Sequence, residues 1–173
     1  MPWLQSALSA ALSLFAMPLP SGLESAPPYK VDGVWSFFVN QGHCSAGIVQ
    51  PSNDAIMIMA FDAGENAFTV GFTERRKSIA AEPERLMGIR LHRPGGVLDD
   101  GWEDIAFSGV DWPGDQIMWV SQPLSDPALH DFSDFESLVF IDHGRTAGTF
   151  RGKNNQVAVR ELRRCAKEQR TKQ

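Results

Sequence analysis

The chain has 173 residues, 43% hydrophobic and 21% charged, which predicts one folded domain with an ordinary core and excludes an extensively disordered chain. Its formal net charge of -5 is uneven: residues 160 to 173 carry six basic and two acidic side chains, a balance of +4, leaving -9 on the other 159 residues. A body this acidic excludes nucleic acid as the main partner, because phosphate binding needs a positive face.

In chain order, Leu4 to Met17 is an uncharged Ala- and Leu-rich run, of the length of a signal peptide's apolar region and too short to span a bilayer comfortably. A Pro/Ser/Gly-rich break follows. Residues 1–26 are therefore expected to be a signal peptide or apolar N-terminal leader. Residues 27–173 are expected to form a single β-rich domain with a basic C-terminal helix, in a periplasmic or secreted protein. No Lys or Arg precedes the run and no small-x-small site closes it, so an uncleaved anchor and a cytosolic N-terminal helix stay open as alternatives.

Eleven Phe and five Trp against one Tyr suit strands packed face to face. Strands are predicted at residues 34–39 and 44–49, turned by Asn40-Gln41-Gly42, and at Ala55 to Phe61, which is apolar on both faces as a central strand would be. Residues 67–73 alternate, with Phe68, Val70 and Phe72 on one face and Thr69, Gly71 and Thr73 on the other. Residues 86–92 read as another strand. Residues 98–104 read as an acidic loop, and residues 105–110 and 116–121 as a hairpin around Pro113-Gly114. Asp126 and Pro127 are set to start a short helix that runs to about Ser137. Residues 138–142 and 146–151 form a second hairpin turned at His143-Gly144. Asn154 or Asn155 caps the last helix, whose Ala158, Leu162, Cys165 and Ala166 share one face.

The only cysteines are Cys44 and Cys165. If the chain is exported they join the end of the fold to its beginning; if it is cytosolic, two unpaired buried thiols are the alternative. No CxxC or Cys/His cluster occurs, and Asp99, Asp100, Glu103 and Asp104 do not match the spacing of a calcium-binding loop, so neither a metal nor a cofactor is expected. No Gly-x-Ser-x-Gly or phosphate-loop motif is present. His43 and Cys44 adjoin on a strand and so point to opposite faces, poorly placed to act as base and nucleophile.

A Trp followed by a Cys near the domain start (Trp35, Cys44), a strand-rich middle, and an ending with Phe150, Gly152, Ala158, Leu162 and Cys165 together resemble the secreted bacterial proteins typified by the invasion-associated locus B family. The chain has Gly152-Lys153-Asn154 where that family usually has Gly-Ser. The resemblance implies a small β-sandwich cross-linked between beginning and end, without an assigned reaction.

The expected fold is all-β or β-rich α+β: an antiparallel β-sandwich of about eight strands closed by a C-terminal helix. The leading functional expectation is a non-enzymatic periplasmic or secreted protein that binds a macromolecular partner or the cell envelope. Trp102 and Trp112, placed in turns, are its candidate anchors, and the basic C-terminal tail is a candidate for peripheral membrane contact. The competing expectations are a hydrolase of unfamiliar type using His143 and Asp142 or His43, and a small-ligand carrier with a cavity lined by Met57, Met59, Phe68 and Phe72.

Overall fold

The structure is a computed structural model that describes residues 28–40, 43–50, 52–62, 67–75, 84–95, 101–112 and 115–171. The leader, the turns expected at residues 41–42 and 113–114, and Asp99 and Asp100 lie outside the described residues.

Along the chain run β1 (Lys30–Asp32), β2 (Trp35–Asn40), β3 (His43–Gln50), β4 (Ala55–Asp62), β5 (Ala67–Arg75), β6 (Glu84–His92), β7 (Trp102–Trp112), β8 (Gln116–Ser121) and β9 (Leu124–Ser125). They are followed by α1 (Asp126–Asp131), β10 (Ser137–Asp142), β11 (Arg145–Arg151) and α2 (Asn155–Arg170). The fold is β-rich with a C-terminal helix, as expected, but has eleven strands among the described residues. Beyond the nine segments read as strands along the sequence, the additions are β1 and β9, three and two residues long, too short to show any alternation.

All the strands join one antiparallel sheet, in the order β1-β2-β3-β4-β5-β8-β7-β6-β10-β11, with β9 paired to β5. At a strand spacing of about 4.8 Å, β5 and β10 stand roughly 19 Å apart along a flat sheet. Yet the rings of Phe72 on β5 and Phe140 on β10 stack with centroids 4.0 Å apart, and Phe107 and Phe150 meet Phe72 edge-on. The sheet is therefore folded over on itself: one continuous sheet supplies the two facing layers of the expected sandwich.

Alternation decides what enters the core. Trp35 and Phe37, Cys44, Ala46 and Ile48, Met57 and Met59, and Phe68, Val70 and Phe72 belong to the main apolar cluster. The last helix packs on β3 and β4 through the predicted face of Ala158, Leu162, Cys165 and Ala166. Its N-cap is Asn154, in a left-handed conformation (φ 58°) with no side-chain capping bond. The first helix is shorter than predicted, ending at Asp131, and its N-cap is Ser125 rather than Asp126. At the tip between β10 and β11, His143 and Gly144 both have positive φ (49° and 74°), the twist-matched turn that the His-Gly pair signalled.

Candidate functional site

The N- and C-terminal ends of the described domain are fastened at two neighbouring points. Cys44 on β3 is disulfide-bonded to Cys165 on α2, with Cα atoms 6.0 Å apart and a sequence separation of 121. One helical turn earlier, Glu161 is buried, 5% exposed. Tyr29 Oη donates to its Oε1 (3.0 Å), Lys30 Nζ donates to its Oε2 (3.0 Å), and the Arg164 guanidinium donates to both oxygens. The Arg164 hydrogen bonds outweigh the cost of burial and, with those from Lys30 and Tyr29, hold the Glu161 carboxyl down from 4.5 to about 2. Burial, with the hydrogen bond to Glu161 and its charge, pushes the Tyr29 phenol up to about 12. Nearby, Trp35 Nε1 donates to the Lys153 carbonyl at 3.1 Å. These contacts brace α2 rather than form a reactive centre, and Cys44, being in a disulfide, is no nucleophile.

Trp102 and Trp112 are not in turns; they are the two ends of β7. Trp112 is 7% exposed and packs with Ile58, Met118 and Val120 in a second apolar cluster. Trp102 is half-buried, its ring stacked on Phe132 with centroids 5.4 Å apart. The reason is a register shift: Met87 faces Ile105 but Ile89 faces Trp102, so β7 carries an extra residue there, with Asp104 at φ 56°. The bulge turns Trp102 toward the main core. Neither tryptophan offers the exposed ring that an anchor in a turn requires.

The histidines separate. His43 opens β3, paired with Asn40 on β2. At the far hairpin, His143 Nδ1 lies 2.6 Å from Asp142 Oδ1, and the other Asp142 oxygen accepts from Arg85. Arg85 stacks over the Trp119 ring at 4.9 Å, and Trp119 Nε1 donates to Glu74 Oε2 at 2.9 Å. Glu74, Arg85, Asp142, His143, Arg145 and Thr146 line an open cleft of about 430 Å3. This arrangement fixes one imidazole nitrogen and leaves the rest of an exposed ring (79%) to solvent. Among the described residues, no three His, Cys, Asp or Glu side chains are grouped to hold a metal ion.

Met57, Met59, Phe68 and Phe72 do not line a space between layers: each is at most 1% exposed, and Phe72 is filled against by Phe107, Phe140 and Phe150. The apolar recess lies on the opposite face of the same strands. Ser36 and Phe38 of β2, Ser45, Gly47 and Val49 of β3, and Ile56 and Ile58 of β4 line a groove of about 210 Å3. Register explains its shape. Gly47 stands between Ser36 and Ile58 and has no side chain, so this row forms the floor. Phe38 pairs with Ser45 on one side, and Val49 pairs with Ile56 on the other. Val49 is 58% exposed. A Cβ on Gly47 would meet Met57 O at 3.5 Å and Ile58 Cγ1 at 3.8 Å, ordinary contacts. The signal was in the sequence: Ala55 to Phe61 is apolar on both faces, and only one face can enter the main core.

No protein-family model, curated protein or solved structure matches this chain. No helix among the described residues is long and apolar enough to cross a membrane.

Proposed function

We propose that the chain is a non-enzymatic periplasmic or secreted protein, akin to the invasion-associated locus B group, that binds a protein of the cell envelope through the groove on β2, β3 and β4. The observation that carries this reading is the groove itself: an apolar recess on a sheet face, floored by a glycine and rimmed by an exposed valine. Solvent-facing apolar rows on a rigid sheet fit an apolar segment of a partner. Export follows from the apolar leader and is supported by the disulfide, which persists in oxidising compartments.

The experiment is photo-crosslinking in the native host with a photoreactive side chain at Val49, with and without Gly47→Val. A Cβ at Gly47 meets only ordinary contacts, and the substitution adds bulk to the floor of the groove. A discrete adduct from Val49 that Gly47→Val reduces at least tenfold is expected. An adduct indifferent to Gly47→Val, or none, removes the groove as the binding site.

The Asp142–His143 contact in its cleft favours a second reading, acid/base hydrolysis. Turnover of an ester or peptide substrate that is lost in His143→Gln and Asp142→Asn but intact in Gly47→Val would move the function to the cleft.

A further inference from the structure

The exposed side of α2 is a cationic ridge. Lys153 just before the helix, then Arg160, Arg163, Arg164, Lys167 and Arg170 are all exposed, while Ala158, Glu161, Leu162, Cys165 and Ala166 face inward. The helix is about 24 Å long, and the exposed acidic side chain on it, Glu168, is bonded to Arg164. Interaction with the helix dipole accounts for the cations of the last turn alone, Lys167 and Arg170. Arg160 and Arg163 sit mid-helix, where the dipole gives them nothing, and Lys153 sits at the end where it opposes a positive charge. No acidic residue occupies the first turn. The helix thus departs from the usual distribution of charge along its whole length, on a body that carries -9 elsewhere.

We infer that this ridge is a docking surface for a bilayer rich in anionic phospholipid. The chemistry fits on three counts. The charges of α2 share its exposed side, on an element held rigid by the Cys44–Cys165 bond and the Glu161 contacts. Among the described residues the ridge has no exposed large apolar side chain to anchor a protein partner or enter the acyl region, so the contact is electrostatic and superficial. The acidic body is repelled by the same surface and turns the helix toward it. Because Cys44, Ala46 and Ile48 face the core with the helix while Ser45, Gly47 and Val49 face the groove, a molecule lying on its ridge presents the groove away from the membrane. Choosing a bilayer over a nucleic acid rests on the export reading given above.

The test is flotation of the purified full chain with vesicles containing phosphatidylglycerol, against vesicles of phosphatidylcholine alone and against duplex DNA. Each cation near an anionic surface contributes about fivefold in affinity. Lys153→Gln, Arg160→Gln and Lys167→Gln together are therefore expected to weaken phosphatidylglycerol binding about a hundredfold. Interchanging Lys and Arg at these positions should restore it. Binding should fall as salt is raised above about 0.15 M, where the screening length is about 8 Å. Circular dichroism and melting of the triple variant should match the parent. Equal binding to phosphatidylcholine, or binding that survives the three substitutions, overturns the inference; retention on duplex DNA without vesicle binding overturns it in favour of a nucleic acid. The Val49 crosslink, measured separately with the ridge unaltered, keeps failure of the ridge distinct from failure of the groove, and the protein's mass in its host tests export itself.

Discussion

Glu161 joins the two ends of the described domain through its side chain. It is an acid buried in the middle of a basic helix, and it ties Tyr29 and Lys30 at the start of the domain to Arg164 near its end. Its folded-state value is depressed, so the stabilisation is present at pH above 4.5 and is lost as pH falls from 4.5 toward 2. A displacement of that size corresponds to about 3 kcal/mol, or roughly 6 to 12 °C in melting temperature for a chain this long. Glu161→Gln should lower the melting temperature at neutral pH by an amount of that order and flatten the acid limb. Parallel acid limbs in parent and variant would assign the titration elsewhere. Tyr29 works with the opposite sign: its phenol is raised from 10 to about 12, so its contribution is complete below pH 10 and is lost between 10 and 12. The amphipathic pattern of α2 was legible, but the acid at 161 among Arg160, Arg163 and Arg164 gave no sign of being buried. Its partners Tyr29 and Lys30 are more than 130 residues away.

Among the elements, α2 and β3 are held together by one covalent bond across 121 residues. In the chain-entropy model a loop of about that length stabilises by roughly 4 to 5 kcal/mol. Replacing both Cys44 and Cys165 by Ala should therefore lower the melting temperature by roughly 8 to 20 °C; an unchanged melting temperature would mean that the bond holds nothing the core does not already hold. The elements themselves were largely written in the sequence. Phe68, Val70 and Phe72 enter the main core, as their alternation required, and Thr69, Gly71 and Thr73 take the other face, where they too are buried. Legibility failed where alternation fails: β1 and β9 are too short to have a period, and the bulge near Asp104 inverts the face of Trp102 without any mark in composition. Trp112 stands before Pro113-Gly114, so proximity to a turn signal concealed a buried strand end. At the groove, the apolar character of Ile56 and Ile58 was visible, but pairing with Gly47 and Val49 was what made a recess of them.

At the scale of the molecule, a single sheet folded on itself has two kinds of surface. One is consumed by its own core, where Phe72, Phe107, Phe140 and Phe150 meet. The other faces solvent: the groove lies on one side of β2, β3 and β4, and beyond the core on their other side lies the basic ridge of α2. Strand order could not be read from the chain, because β5 pairs with β8 and β6 with β10, contacts between segments separated by whole hairpins. Both proposed surfaces rest on the export reading, and the Cys44–Cys165 bond is what an oxidising compartment would preserve. The most direct test is the intact mass of the protein taken from its native host, alkylated with and without prior reduction. A mass lacking the apolar leader, with alkylation at Cys44 and Cys165 only after reduction, is the expected result. Full-length protein with both thiols alkylated before reduction would contradict it, placing the chain in a reducing compartment and returning attention to Asp142 and His143.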